Sequence, residues 1–203
     1  MSDMQACGIV CPTDWVPLPQ EPDDNVKDWA KRTAAELYER SSTAGHTLDE
    51  KALRKDLRSW ADDSRSRAPL YGFAFYPDGF DFALALLEVE VILPDETVPQ
   101  ISLDWLAETF SAHDFGPPDI SRTDLPVGPA VRLRQNFAAE GSPRGGAGVL
   151  LRTVTYGIRP TGTDGALVLL VSWTAPGLEE EMEAAADSIA QTITVELTAS
   201  EVT

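Results

Sequence analysis

The chain has 203 residues and a formal net charge of −17, from 33 acidic and 16 basic side chains. This charge excludes a protein that coats DNA or an anionic membrane over its whole surface. An apolar fraction of 43%, with five Trp, four Tyr and seven Phe, excludes an intrinsically disordered chain. The length suits one domain, or one domain with a helical annex.

The N-terminal residues show neither the basic nor the apolar region of a signal peptide, and no stretch approaches the ~20 apolar residues of a membrane-spanning helix. We therefore expect a cytoplasmic protein without membrane insertion. Cys7 and Cys11 could form half of a metal site or a redox pair. Zinc needs four ligands, however, and His46 and His113 lie far away in sequence. We expect two thiols of no special role, and neither a metal nor a cofactor.

Residues 1–23 contain four prolines and no hydrophobic period, so we predict an N-terminal arm. Trp15, Val16 and Leu18 are the side chains that would attach this arm to the rest of the protein.

Two amphipathic helices are predicted over residues 24–67, as an N-terminal helical hairpin. The first has an N-cap at Asp24 or Asn25. The second follows Thr47 and Glu50, which have the spacing of a capping box.

Each of these helices has a tryptophan in its apolar stripe, and we take Trp29 and Trp60 as candidate contacts for a partner. The hairpin also holds ten basic residues among its acids. Charges of this kind on two helices are usually a solvated face, and we expect that here.

Period-two alternation begins near residue 68, so residues 68–196 are predicted as a sheet domain. Strands are expected at 70–76 and 80–93, joined by Pro77-Asp78-Gly79, which is typical of a hairpin turn. A short helix follows the cap Ser102, and a long loop then contains an edge strand near Ile120.

The C-terminal half contains strands at 130–138, 149–158 and 166–174. The last is apolar on both faces, and an amphipathic helix over 178–193 follows it. A strand buried on both faces needs a layer on each side, so we expect helices on both faces of the sheet. Residues 197–203 form an acidic tail.

Arginines are concentrated between residues 122 and 159. This segment contains six arginines and only two acidic residues. If the loop between the two strands is centred near Pro143, Arg134 lies opposite Arg152, with Arg132 on the same face. Like charges at opposite positions repel unless an anion lies between them. One interpretation is a site for the carboxylates of a protein partner. The other, which we favour, is pairing with the chain's own acids.

No residue set for catalysis is evident. The two histidines lie in predicted loops, and the sequence holds no dinucleotide fingerprint, phosphate loop or full metal-ligand set. We therefore expect a protein that is not an enzyme.

Four stretches carry a resemblance over residues 70–195: ALLEVEVILPDETVP, SLDWLAETF, GPAVRLRQNF and LLVSWTAPGLEEEMEAAADSIAQTITV. Their order resembles the Mog1/PsbP-like superfamily, which includes the LpqN-like and DUF1795 proteins. The resemblance implies an antiparallel sheet in an α/β/α sandwich. It also implies a binding function rather than catalysis, since the family includes a nuclear-transport cofactor, a photosystem subunit, lipoproteins and chaperones. It assigns no functional residue.

Together these observations predict an α+β protein, an antiparallel sheet flanked by helices with an N-terminal helical hairpin. We expect a non-enzymatic adaptor or chaperone for a multi-protein assembly, such as one concerned with secretion, with protein partners and without nucleic acid. The alternative is a small-ligand carrier with a pocket between sheet and helix, lined by Phe80, Phe82, Trp105 and Trp173. The sequence leaves the oligomeric state open.

Overall fold

A computed structural model describes residues 4–139 and 149–197, and this part of the chain contains four helices and nine strands. The helices are α1 (Val26–Thr43), α2 (Glu50–Arg67), α3 (Leu103–Thr109) and α4 (Glu179–Ala190). The strands are β1 (Met4–Gly8), β2 (Trp15–Pro17), β3 (Tyr71–Phe75), β4 (Ala85–Ile92), β5 (Asp119–Leu125), β6 (Gly128–Ala139), β7 (Val149–Ile158), β8 (Ala166–Trp173) and β9 (Thr194–Leu197).

Seven strands form one sheet in the order β2-β3-β4-β8-β7-β6-β5, and β1 pairs with β9 as a separate two-stranded sheet. The pairs β2-β3, β5-β6, β6-β7 and β7-β8 are antiparallel. The protein is therefore an α+β protein with an antiparallel sheet. β8 is the fourth of the seven strands, which agrees with its apolar residues on both faces.

The chain divides into two compact units. One comprises residues 12–88, with α1, α2, β2 and β3. The other comprises the residues before 12 and after 88, with β5–β9, β1, α3 and α4. The predicted division, an arm to residue 23 and a helical part to residue 67, differs from this one because β2 and β3 group with the helices.

In the unit of residues 12–88, α1 and α2 pack with the strands around a common apolar cluster. The fully buried side chains Ala30 and Ala34 come from α1, and Leu53 and Leu57 come from α2. These positions recur every three or four residues, so each helix buries one stripe. Asn25 caps α1 by accepting from the backbone N–H of Asp28.

The predicted capping box of α2 is wrong. The N-cap is Asp49, whose Oδ1 accepts from the backbone N–H groups of Lys51 and Ala52. The helix consequently begins at Glu50 rather than after Thr47. An aspartate satisfies the same free N–H groups as a threonine would, and it adds a negative charge where the helix dipole favours one.

The predicted arm contains two of the strands. β2 pairs antiparallel with β3, with Trp15 opposite Phe75, and Trp15, Val16 and Leu18 are buried as expected. A strand of three residues is too short to show a hydrophobic period. Pro17 is tolerated there because β2 lies at the edge of the sheet.

The predicted strand over 80–93 begins too early, since β4 starts at Ala85. Residues 78–84 form turns and bends, and Phe80 is 42% exposed. The aromatic residues there imitate a strand pattern without the backbone pairing that defines one.

Two buried carboxylates join α2 to β4 and to the segment between β3 and β4. Asp56 accepts from the hydroxyl of Tyr76 at 2.9 Å and from the backbone N–H of Ala83 at 2.8 Å. Glu88, which is 4% exposed on β4, accepts from Arg67 through Nε at 2.8 Å and Nη2 at 2.9 Å. Its Oε1 also accepts from the hydroxyl of Ser64 at 2.8 Å.

In the other unit, α3 packs on one face of β6–β8 and α4 packs on the opposite face. The α3 side is an apolar cluster of Leu106 with Val131, Leu133 and Val168. Gly157 allows this close approach, because a Cβ at that position would lie 3.0 Å from the Cβ of Leu106.

On the α4 side, Met182, Ala186 and Ile189 are buried. Residues opposite one another across β6, β7 and β8 share a face, so Tyr156, Leu169 and Trp173 lie on this side.

The apolar strand over 166–174 and the helix after it are confirmed as β8 and α4, and the edge strand near Ile120 is confirmed as β5. Most of the predicted acidic tail, 198–203, lies outside the described residues, whereas position 197 ends β9.

We expect Glu88→Ala to lower the free energy of unfolding by roughly 3 kcal/mol, since it leaves Arg67 and Ser64 without their buried acceptor. Urea denaturation at pH 7 measures the change. Glu90→Ala, an exposed site on the same strand, is the control and should change stability by less than about 0.5 kcal/mol. Equal effects at the two sites would contradict the importance of this ion pair.

Candidate functional site

Three arginines from adjacent strands lie on the face of the sheet that α4 covers. The register of β6 and β7 places Arg132 opposite Tyr156, Arg134 opposite Val154, and Asn136 opposite Arg152. Since opposite and alternate residues share a face, all three guanidinium groups start on the same side.

The predicted pairing of Arg134 with Arg152 is wrong by two residues, because the hairpin is centred one residue further along the chain than expected. The two arginines are diagonal neighbours rather than directly opposed. Residues 140–148, which join the two strands, lie outside the described residues.

Helix α4 supplies carboxylates to all three arginines. Glu179, Glu183 and Asp187 recur every four residues and so form one row along the helix. Glu179 Oε1 lies 2.9 Å from Nε of Arg152, and Asp187 Oδ1 lies 2.7 Å from Nε of Arg132.

Glu183 is shared between two strand residues. Its Oε2 lies 3.2 Å from Nη2 of Arg132, and its Oε1 lies 3.2 Å from Nη1 of Arg134. Arg134 also contacts Asp119 of β5 at 3.1 Å. Three positive charges thus have four carboxylates within reach, and the geometry fits the interpretation in which the chain's own acids neutralise the arginines.

Within this cluster, Arg132, Tyr156 and Asp187 form a triad. The hydroxyl of Tyr156 donates to Asp187 Oδ1 at 2.7 Å, and the same oxygen accepts from Nε of Arg132. Tyr156 is only 4% exposed. Asp187 therefore holds a phenol and a guanidinium together under the helix.

Burial raises the pKa of Tyr156 above its ordinary value, and the neighbouring Asp187 carboxylate raises it further. Burial lowers the pKa of Arg132, because it disfavours the charged guanidinium. The hydrogen bonds to Asp187 and Glu183 outweigh this effect, so the pKa of Arg132 is raised. At neutral pH the triad consequently contains a neutral phenol and a charged guanidinium.

Trp29 and Trp60 lie in the unit of residues 12–88, where both are half-buried against the apolar cluster of α1 and α2. Their packing gives each a structural role. The assignment of these tryptophans, and of Arg132, Arg134 and Arg152, to partner binding stays a prediction.

The expected lining of a ligand pocket is dispersed. Trp105 packs on the α3 face, whereas Trp173, 2% exposed and opposite Arg152, lies on the α4 face. Phe80 and Phe82 contact each other edge to face, with centroids 5.8 Å apart, in the unit of residues 12–88. Trp105 and Trp173 therefore do not line one pocket.

A cavity of about 290 Å³ does lie elsewhere, at one end of β5–β8. The turn after β5 contributes Pro126 and Val127, and the turn after β7 contributes Pro160 and Thr161. The rest of the lining is Ile193, Thr194, Val195 and Leu197. The sequence does not indicate this site, because its residues come from two short turns and from the segment of β9, which share no common pattern.

Burial raises the pKa of both cysteine thiols, that of Cys11 to about 12, so neither is a reactive thiolate at neutral pH. Cys11 is a free thiol. Among residues 4–139 and 149–197, no group of three or more His, Cys, Asp or Glu is placed to hold a metal ion.

Within the same residues, no helix is long and apolar enough to cross a bilayer.

We expect Tyr156→Phe to cost about 1 kcal/mol at pH 7, through the lost hydrogen bond to Asp187. Because folding raises this pKa, the tyrosine stabilises the protein fully below its unfolded pKa of about 10 and loses that contribution as pH rises further. The difference between wild type and variant should therefore shrink above pH 10 in urea titrations. Tyr38→Phe, at an exposed tyrosine, is the control. A difference that stays constant to pH 11 would contradict the raised pKa.

Comparisons with known proteins give a likeness among solved structures. No protein family and no curated protein matches the chain. Among solved structures it is similar to LpqN, described as involved in cell envelope biogenesis of Mycobacterium tuberculosis. The identity is 13% and the TM-score 0.49, over 93% of this chain and 82% of that one. A likeness of this degree assigns neither a family nor an activity to the chain.

Proposed function

We propose that this chain is a non-enzymatic, cytoplasmic interaction protein, an adaptor or chaperone that binds a protein partner through helix α2. Membership of the Mog1/PsbP-like superfamily, to which the sequence resemblance points, is part of the proposal, as is the absence of nucleic-acid binding. The observation that carries it is a row of basic side chains for which the described part of the chain provides no carboxylate.

This row, the α2 basic stripe, consists of Lys51, Lys55 and Arg58. The three residues are four and three positions apart and so share one face of the helix. That face lies opposite the buried stripe of Leu53 and Leu57. The two lysines are exposed, Arg58 is half-buried, and no acid of the described residues forms an ion pair with any of them.

The contrast with the sheet supports binding at α2 rather than at the arginines. Arg132, Arg134 and Arg152 have carboxylates of their own unit within 3.2 Å. A partner would have to displace those carboxylates, whereas the stripe offers its charges without such a cost.

Charge distribution along the chain makes the same point. Residues 26–67 contain 10 of the 16 basic side chains, including all four lysines, against 8 of the 33 acids. The helices are thus the basic region of a very acidic protein. Helix stability does not explain this placement, because Lys51 lies in the first turn, where the helix dipole disfavours a positive charge.

The chemistry of the stripe suits a partner with carboxylates along a helix or an extended segment. Asp62 is the acid next along this face, one turn after Arg58, so the stripe covers the first half of α2. Since these charges are near solvent, we expect binding to weaken as salt rises and the Debye length falls below about 8 Å.

The test compares two triple charge reversals of equal size. K51E/K55E/R58E removes the stripe, and K27E/K31E/R32E makes the same change on α1. Each protein is added to a lysate of the source cells, and the proteins bound to it are captured by cross-linking. We expect wild type and the α1 variant to capture the same partner, and the α2 variant to capture roughly tenfold less of it. Circular dichroism checks that both variants fold. Equal losses in the two variants, or capture that is insensitive to salt, would contradict binding through α2.

A small-ligand carrier is the second candidate, and the cavity beside residues 193–197 favours it. Its volume of about 290 Å³ is near the lower end for small-molecule sites, and most of its lining is apolar. If the cavity binds a ligand, native mass spectrometry of gently purified protein should show an added mass that Val195→Trp removes by filling the space. An unmodified mass for wild type would oppose this function.

A further inference from the structure

Strand β5 leaves one edge of the sheet open. It is the last strand in the order, and among the described residues it pairs with β6 alone. Five of its seven residues are exposed, including Ile120 at 46%. An edge of this length presents unpaired backbone N–H and C=O groups, with which another strand can form hydrogen bonds.

The backbone groups that face outward follow from the register. Leu125 pairs with Gly128 across a two-residue turn, and such a turn closes on a hydrogen-bonded pair. Residues 119, 121, 123 and 125 therefore direct their N–H and C=O groups to β6. Residues 120, 122 and 124 direct theirs to the open edge.

We propose that β5 pairs with β5 of a second copy of this chain, antiparallel about a two-fold axis through Thr123. This pairing is independent of the function proposed above, and complementary charge selects its register. With Thr123 opposite itself, Arg122 lies opposite Asp124 of the partner subunit, and the symmetry makes this contact twice. Opposite charges at such positions stabilise strand pairing.

The neighbouring registers lack this complementarity. An axis through Arg122 places that arginine opposite itself, which is repulsive. An axis through Ser121 places Ile120 opposite Arg122 of the partner subunit and forms no ion pair. An axis through Thr123 is thus the arrangement that places the positive charge of Arg122 opposite the negative charge of Asp124 of the partner subunit.

Apolar contacts complete the same register. Ile120 lies opposite Pro126 of the partner subunit, and both residues are exposed in the single chain. Ser121 lies opposite Leu125 of the partner subunit. Ile120 is the one exposed apolar residue of β5, and this register covers it.

Charged residues on an edge strand usually prevent such pairing. Here the charges of the two copies are opposite in sign where they meet, so they select a register instead. Arg122 contacts Asp104 within its own chain, but the two side chains are 59% and 85% exposed. A surface ion pair of this kind contributes little, so Arg122 can exchange it for Asp124 of the partner subunit.

The first test is a charge swap followed by sedimentation velocity, with protein from about 1 μM to 1 mM and salt near 0.15 M to screen the net charge of −17. We expect wild type to dimerise with rising concentration. R122D and D124R should each weaken the dimer about tenfold or more, and R122D/D124R should restore it by exchanging the two charges. Asp104→Asn, which removes only the contact within the chain, is the control and should dimerise like wild type.

The second test is a symmetric disulfide in a C7S/C11S background. Thr123 would form a non-hydrogen-bonded pair with its own copy, the geometry in which side chains come closest, so Thr123→Cys should cross-link under mild oxidation. Two copies of Ser121→Cys would lie roughly 13 Å apart along the strands and should not. A wild type that remains monomeric at all concentrations, a double variant that fails to recover, or equal cross-linking at the two positions would overturn the proposal.

Discussion

The unit that contains β5–β9 depends on one constraint, which is the burial of β8 on both faces. An apolar strand at the middle of a sheet needs a hydrophobic layer on each side. α3 supplies one layer and α4 the other, each through one stripe of buried residues. Both helices are short, so their position is set by packing on the sheet rather than by their own stability.

The position of α4 has an electrostatic consequence. The row of carboxylates beside its buried stripe meets the arginines of β6 and β7, and Asp187 also accepts from Tyr156. Arginine on a covered face would otherwise leave a buried charge without compensation, which is costly. Packing and charge neutralisation are thus achieved by one helix, and the charges left for a partner lie elsewhere.

In the unit of residues 12–88, polar groups perform a comparable task. Asp56 and Glu88 are buried carboxylates, and each is satisfied by at least two donors from other segments of this unit. Such groups fix the helix to the strands in one arrangement, because a displaced carboxylate would lose its partners inside the protein. The run ALLEVEV holds two glutamates among apolar residues, and Glu88, the first of them, lies between Leu87 and Val89; this is the sequence signal that was available for Glu88.

The elements with long and regular patterns were predictable from the amino-acid sequence. The stripes of α1 and α2, the apolar strand β8, the acidic helix α4 and the alternation in β6 are local properties of the chain, and hydrophobic period expresses them directly. The three arginines on one face and the acids able to neutralise them were therefore predictable as a set. So was the edge position of the strand near Ile120.

Tertiary structure alone decided the pairings between distant segments. Which carboxylate meets Arg132 depends on the position of α4 across the sheet, and a change of one residue in the centre of the β6–β7 hairpin moves Arg152 from Arg134 to Asn136. The three-residue strand β2 and the β1–β9 pair exist because partner strands provide their hydrogen bonds. Periodicity shows which face of a segment is apolar, but contacts across the chain depend on register, and register is set by the whole fold.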